Sequence, residues 1–427
     1  MLESITTAWK MGDLRRKVLF TLLMFLVFRI GVHVYVPGID HAALAKMMQS
    51  SAFLGFFDVI SGGAFRLLSV FAMSITPYIN ASIIIQLLTV VVPRLEQLSK
   101  EGEAGRKVIT QYTRYGTVAL GFIQAIGMSI ALGHPSTITG GQVVLLHPSL
   151  GSYLLVAVTL TAGTTILMWL GEMITEKGIG NGISLIIFAG IVSRLPAGAV
   201  NTFKQLAAGT ISFWSVGALL ILGLLVIAAV VAVNEGQRRI PVQYAKRVMG
   251  RKVYGGQSTH IPLRVNQAGV IPIIFAMSIL MFPVQIAQWI NNPIVKNVAA
   301  QLQFGTALNS VIYALLIIFF TYFYTAIVFN PMDVADNLKK YGGFVPGLRP
   351  GRPTGEYINR IMTRLTLLGA IFLALIAVLP NFMIAATGIP TLYFGGTALL
   401  IVVGVALETM KQFESHLLMR HYQGFMK

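Results

Sequence analysis

The sequence has no cysteine among its 427 residues, and charged residues make up only 11% of it. The lack of cysteine excludes a disulfide framework, a thiolate nucleophile and a cysteine metal site. The shortage of charge excludes an ordinary soluble enzyme, since soluble proteins carry about 25% charged residues. Hydrophobic residues reach 55%, so we expect a bilayer to be the solvent for most of the chain.

Catalytic and ion-coupling groups are missing as well. No Asp or Glu lies at the centre of an apolar run, where an ion-coupled carrier needs ionisable groups. No Gly-rich loop ends in Lys-Ser or Lys-Thr, and the seven His residues include no metal-binding pair one helical turn apart. We therefore expect a protein that is not an enzyme and that needs no metal or cofactor.

Long apolar runs are what the sequence does contain. A membrane helix needs roughly 20 mostly apolar residues, and this length predicts an all-α integral membrane protein with ten transmembrane helices. The predicted spans lie near 18–37, 73–92, 115–132, 153–171, 182–195, 213–233, 268–290, 308–329, 365–385 and 392–408. The fifth span is short, because Arg194 and Pro196 follow its apolar part.

The stretch 53–72 is apolar but interrupted. Gly62 and Gly63 break it, and Asp58 and Arg66 flank the break. This pattern predicts a short re-entrant or plug-like segment. An interfacial amphipathic helix is the alternative.

The charges are distributed unevenly between the two sides of the predicted bundle. The N-terminus, the even-numbered loops and the C-terminus hold 26 of the 32 Lys and Arg residues, whereas the odd-numbered loops hold 5. Basic loops stay in the cytoplasm. We therefore expect both termini to be cytoplasmic, which agrees with an even number of spans.

Two cytoplasmic loops are long and basic. Residues 234–264 contain seven Lys and Arg residues, and residues 330–362 form the second loop. The Val, Tyr and Ile content of 240–255 is compatible with a hairpin. Such loops either dock a macromolecule or anionic lipid, or serve only to set topology. Seven basic residues exceed what topology requires and favour docking.

The long loop at 234–264 follows the sixth predicted span, and the ten spans divide evenly about residue 195. We predict two halves, 1–195 and 196–427. Because each half has an odd number of spans, the halves have opposite orientations, as in the inverted repeats of transport proteins.

Pairs of isoleucines lie beside small and polar residues in two spans. Ile79 and Ile83 are four residues apart, as are Ile183 and Ile187, so each pair shares a helix face. Lipid contact is the simplest role for isoleucine. The neighbouring Asn, Ser and Gly residues favour a face turned toward other helices.

Longer motifs resemble a known family. The runs TPYINASIIIQLLTVVVP at 76–93, GEMITEKGIGNGISLIIFAGIV at 171–192, EGQRRIPVQYAKR at 235–247 and FVPGLRPGRPT at 344–354 are similar to the SecY family of protein-export channels. So are KEGEAGRKVITQYTRYGT at 100–117, GVIPIIFA at 269–276, MTRLT at 362–366 and LYFGGTALLIVV at 392–403. The motifs occur in the family's order and cover essentially the whole chain.

This resemblance implies an hourglass pore that passes unfolded polypeptides across the membrane or sideways into lipid. Its waist would be a ring of isoleucines, which gates by excluding water. The ring members implied here are Ile79, Ile83, Ile183, Ile187, Ile274 and Ile401.

The resemblance also implies a plug and a lateral gate. The plug would include Phe57, Ile60, Ser61, Gly62, Gly63 and Phe65. The second and seventh spans would form the gate. Its polar cluster would be Thr89, Gln124 and Asn266, joined by hydrogen bonds weak enough to break when a signal sequence enters. Ordinary helix packing is the alternative role for these three residues.

The basic loops match the family's docking surface for the ribosome and for the SecA motor ATPase. The residues implied are Arg238, Arg239, Lys246, Arg247, Arg251, Lys252 and Arg349. Anchoring to lipid phosphate is the alternative for Arg349. The resemblance further implies the small subunits SecE and SecG, signal sequences and unfolded preproteins as substrates, contact with anionic lipids, and a location in the bacterial cytoplasmic membrane.

Two other classes remain open from the residues alone. A secondary carrier would explain ten spans and broken helices, but it would need midplane charges or a polar pocket. A ribosome scaffold would explain the basic loops but not the prolines that interrupt spans, which are Pro77 in the second span and Pro272 and Pro283 in the seventh.

Overall fold

A computed structural model of the chain describes residues 12–50, 58, 61–134, 143–244, 247–249, 252–254, 258–289, 297–298, 301–302, 306–387 and 396–424. Helices occupy all ten predicted span positions. The helices of the first half are α1 (Gly12–Gly31), α2 (His41–Ser50), α3 (Thr76–Val91), α4 (Pro93–Lys100), α5 (Glu103–Gly133), α6 (Leu150–Lys177) and α7 (Gly182–Ala207).

The second half contains helices and a small sheet. Its helices are α8 (Phe213–Glu235), α9 (Ile271–Trp289), α10 (Ala307–Val328), α11 (Pro331–Lys340), α12 (Arg352–Thr387) and α13 (Gly396–Gly424). Its strands are β1 (Gln237–Tyr244), β2 (Arg247–Met249), β3 (Lys252–Tyr254), β4 (Ser258–Arg264) and β5 (Gly343–Phe344).

Six helices in the described residues are long and apolar enough to cross a membrane, or seven if the bent pair of α3 and α4 is one span. The pair bends by 100° at Val92, where Pro93 begins α4. Proline has no N–H to donate and its ring opposes a continuous helix, so the chain turns there. The apolar helix α3 therefore ends where α4, which carries Arg94 and Lys100, begins.

Helix α7 is longer than predicted. It passes through Arg194 and Pro196 and ends at Ala207. A proline inside a helix removes one hydrogen bond, and neighbouring helices compensate for that loss in a membrane bundle. The predicted boundary at residue 195 therefore falls inside a helix, and residues 208–212 connect the halves.

The two halves meet through few helices. Helix α9 packs against α3 and α5, and α13 packs against α7. Within each half the contacts are more extensive, as between α5 and α6 and between α10 and α12. The largest hydrophobic cluster joins both halves and includes residues of α3, α7, α9 and α13.

Candidate functional site

A cavity of about 470 Å³ lies between the two halves. Ile79, Ile183, Ile187 and Ile274 line it, and they come from three helices, α3, α7 and α9. Four of the six predicted ring residues therefore share one cavity, although up to 195 residues of sequence separate them.

The six predicted ring residues also share one hydrophobic cluster. Ile79, Ile83, Ile187, Ile274 and Ile401 are buried in it, and the half-buried Ile183 packs against it. Ala64, from the segment that follows the Gly62–Gly63 break, belongs to the same cluster. Ala64 therefore shares one hydrophobic cluster with the four isoleucines that line the cavity.

Asn181 fixes the start of the helix that carries Ile183 and Ile187. Its Oδ1 accepts hydrogen bonds from the backbone N–H groups of Ile183 and Ser184, at 3.1 and 3.2 Å. Such a cap satisfies N–H groups that have no partner within the helix. Gly182 adds a close approach to α6, because a Cβ there would collide with the backbone of Gly171.

The rest of the cavity wall combines polar side chains with the apolar Ile271 and Phe275. The Nε of Arg114 donates to Oε1 of Glu172 at 2.8 Å, which joins α5 to α6. Glu176, Gln86 and Ser82 line the same cavity. The pairing of Arg114 with Glu172 could not be predicted from sequence, because 58 residues separate them and no local pattern reveals it.

The plug-like segment forms consecutive turns. Residues 61–75 have no helix, and most of residues 61–72 are buried, which rules out an interfacial helix for that part. Gly62 and Gly63 have φ values of +67° and +92°, which glycine adopts readily. Ser61 is buried and its Oγ accepts from Phe65 N at 3.0 Å. Phe57 and Ile60 lie outside the described residues.

The far end of this segment is held by backbone hydrogen bonds. Val36 N donates to Leu68 O at 3.0 Å, and Val70 N donates to Val34 O at 2.9 Å. Phe65 lies in a second hydrophobic cluster, away from the predicted ring. The segment is therefore anchored at its C-terminal end to the chain that follows α1.

No hydrogen bond in the described residues joins the three predicted gate residues. Thr89 donates to the carbonyl of Gln86, and Asn266 donates to Asn234 and to the carbonyl of Gly269. Gln124 is buried, and neither of its amide atoms has a hydrogen-bond partner. The helices around them, α3, α5 and α9, do pack together, and the gate role of the three residues stays a prediction.

The two basic loops form one folded unit. Strand β1 pairs with β4 from Gln237 opposite Arg264 to Gln243 opposite Ser258. Within the predicted range 240–255, β2 pairs with β3 from Arg247 opposite Tyr254 to Met249 opposite Lys252, which confirms a hairpin there. Strand β1 also pairs with β5 of the second loop. A small hydrophobic core, which includes Ile240, Val242 and Ile358, lies beneath this sheet.

Three predicted docking residues are exposed on this unit. Arg238 and Arg239 lie on β1, and Arg349 lies in the loop between Gly347 and Gly351, whose φ values are +84° and +98°. Thr354 Oγ1 donates to the carbonyl of Arg349 at 2.8 Å and fixes that loop. Arg247 and Lys252 belong to β2 and β3. Lys246 and Arg251 lie outside the described residues.

Comparison with solved structures defines the class to which this fold belongs. The chain superimposes on a structure titled "The structure of a protein conducting channel" with a TM-score of 0.67 and 19% identity, over 94% of this chain and 92% of that one. A structure of Sec61 in the canine ribosome-channel complex gives a TM-score of 0.59 and 17% identity, over 94% and 92% of the two chains. The fold is that of the protein-conducting channels.

Sequence comparison identifies the family. The SecY family model matches residues 69–410. The protein translocase subunit SecY of Halalkalibacterium halodurans is 50% identical over 100% of both chains. That of Escherichia coli K12 is 50% identical over 98% of this chain and 95% of its own. The chain therefore belongs to the SecY family.

Proposed function

We propose that the chain is the channel subunit of a protein translocase and passes unfolded secretory polypeptides across the membrane. The observation that carries the proposal is the cavity of about 470 Å³ whose wall combines polar side chains with Ile79, Ile183, Ile187 and Ile274. The polar part of the wall admits an unfolded chain with its water. An aliphatic constriction offers no fixed hydrogen-bond pattern, so it accepts any sequence and still excludes ions by dewetting.

A polar residue in the ring should make the resting channel leak. We expect Ile83→Asn and Ile187→Asn to raise ion conductance in planar bilayers, because an amide retains water in the constriction. Ile84→Asn is a matched control, since Ile84 neighbours Ile83 on the same helix but is 44% exposed and points away from the cluster. Ring variants whose currents stay at the baseline would refute the ring assignment.

The lateral gate is the part of the proposal that concerns membrane segments. Helix α9 contacts α3 and α5 across the line where the two halves meet. Separation of these helices would open the cavity toward lipid, and a signal sequence would occupy the opening. The polar residues near this line are uncharged, namely Thr89, Gln124 and Asn266. Separating the helices therefore costs less free energy than breaking ion pairs would.

The channel has no nucleotide site of its own in the sequence, so its driving force comes from partners. We propose that the sheet unit docks the ribosome or the SecA motor through Arg238, Arg239 and Arg349, which are exposed. Guanidinium groups suit both RNA phosphates and acidic protein surfaces. SecE and SecG complete the complex in the bacterial cytoplasmic membrane, with both termini of this chain in the cytoplasm and its basic loops near anionic lipid.

Binding experiments test the docking surface separately from the pore. Arg349→Glu should lower SecA binding and translocation while leaving resting conductance unchanged, because Arg349 lies far from the ring in the second loop. The double variant Arg238→Glu and Arg239→Glu should bind the ribosome more weakly. Ribosome binding by the unaltered chain should weaken with added salt. Unaltered binding to both partners would exclude this surface.

A further inference from the structure

Asp58 is a buried carboxylate next to the glycine break. Its side chain is 3% exposed, and it forms an ion pair with Arg194, whose side chain is 17% exposed. The backbone N–H of Arg66 also donates to Asp58 Oδ1, at 2.8 Å. A carboxylate with so little access to water requires such partners, since an unpaired buried charge is strongly unfavourable.

A second arginine holds the same turn from another helix. Arg29 Nη1, on α1, donates to the carbonyl of Gly62 at 2.8 Å and to Ser193 Oγ at 3.3 Å. Ser193 Oγ donates to Gly190 O at 2.7 Å. Arg29 and Arg194 therefore reach the turn from α1 and α7, and the turn supplies one carboxylate and one carbonyl to them.

The contact between the turn and α7 is close. A Cβ at Gly62 would lie 2.9 Å from the Cα of Gly190. Only backbone without a side chain fits there, and the tight fit brings Asp58 within reach of Arg194. The ion pair and the glycine contact thus support each other.

We propose that Arg29 and Arg194 form a carboxylate-binding site in the wall of the pore, which Asp58 fills at rest and vacates when the plug moves. The proposal rests on the channel function proposed above. Along α7, Asn181, Ser184 and Ile187 line the cavity, and Ser193 and Arg194 follow between one and two helical turns beyond Ile187. Once the site is vacated, its two guanidinium groups would attract small anions and the acidic side chains of a polypeptide in transit.

Removal of either charge of the pair should loosen the plug. We expect Asp58→Asn and Arg194→Gln each to raise resting conductance in planar bilayers by about 5- to 30-fold, the range that the loss of one modest interaction produces in an equilibrium. Both variants break the same pair. The fold-increase in resting conductance of the double variant should therefore be smaller than the product of the two single fold-increases. Lys100→Gln is the control, since it breaks the exposed pair with Glu96, 74% and 50% exposed, outside this region.

Ion selectivity then tests the vacated site. In the Asp58→Asn background, a KCl gradient should give a reversal potential that favours chloride over potassium. Adding Arg194→Gln or Arg29→Gln should reduce that preference, because each removes one of the cations. Two outcomes would overturn the proposal. One is that Asp58→Asn and Arg194→Gln have independent, multiplicative effects on conductance, and the other is that neither Arg194→Gln nor Arg29→Gln changes the chloride preference.

The ring variants separate this proposal from the channel function. If Ile83→Asn conducts while Asp58→Asn stays at the baseline, the channel function stands and the carboxylate site is wrong. If neither conducts, the ring assignment on which the proposed channel function depends fails together with the carboxylate site. Size-exclusion profiles of the purified complex would identify a variant that does not fold. Asp58→Glu keeps the carboxylate, so its resting conductance should lie below that of Asp58→Asn.

Discussion

Asn181 shows how one side chain positions part of the ring. Its cap on α7 fixes the residue at which that helix begins, and hence the faces on which Ile183 and Ile187 lie. We expect Asn181→Ala to lower the free energy of unfolding by about 1 kcal/mol and to raise resting conductance. Thermal unfolding and bilayer currents of the purified complex would measure the two effects.

Asp at position 181 is the matching control. A carboxylate also accepts hydrogen bonds from helix N-terminal N–H groups, so Asn181→Asp should behave like the original residue in both measurements. An Ala variant with unaltered stability and conductance would show that packing of α7, not its cap, positions the ring.

Gly163 on α6 permits a close approach of the plug segment. A Cβ at this position would collide with the carbonyl of Val70. Gly163→Ala should therefore destabilise the protein by about 1–3 kcal/mol, measured by thermal unfolding. Gly223→Ala on α8 has open space around its Cβ and should be neutral or slightly stabilising. Equal effects of both substitutions would contradict the predicted packing.

At the scale of elements, the absence of cysteine makes the plug segment testable by a single crosslink. Asp58 and Arg194 form an ion pair, so Asp58→Cys with Arg194→Cys should be joined by a short bifunctional thiol reagent that a reductant cleaves. The crosslink would fasten the segment to α7, block translocation and be reversed by the reductant. Each single variant serves as its control. Full translocation by the crosslinked double variant would show that the segment need not move.

The sheet that joins the two basic loops is also an element with its own core. Val242 is fully buried on β1, and its neighbour Gln243 is exposed. Val242→Ala should destabilise this unit by about 2 kcal/mol and reduce SecA or ribosome binding, whereas Gln243→Ala should leave binding unaltered. Limited proteolysis of the loops would report the loss of structure. Intact loops and binding in Val242→Ala would contradict a shared core.

Several elements could be predicted from sequence and others could not. Apolar runs predicted ten span positions, and a described helix occupies each of them, because burial in lipid requires length and hydrophobicity, which are local properties. Six of the described helices, or seven with the bent pair, are long and apolar enough to cross a membrane. The pairing of β1 with β5 could not be predicted, since Gln243 and Phe344 are about a hundred residues apart. The extension of α7 past Pro196 was missed because the neighbouring helices, not the local sequence, sustain it.

At the scale of the whole molecule, part of the candidate site could be predicted from sequence and part could not. The isoleucine ring was predicted from motifs, and four of its members do share one cavity. The Asp58–Arg194 pair was not predicted, because a charge in an apolar stretch does not indicate its partner. The predicted boundary at residue 195 lies inside α7, and the two parts of the chain meet where α9 packs against α3 and α5 and where α13 packs against α7.

The central claim is that a polypeptide passes through the isoleucine ring, and one crosslink tests it most directly. Ile83→Cys would be the only thiol in the chain. A secretory polypeptide with one cysteine, stopped midway by a folded domain, should form a disulfide with position 83 only when SecA and ATP are both present. Crosslinks confined to loop positions such as Arg247→Cys, with none at position 83, would mean that the chain docks partners while the pore lies elsewhere.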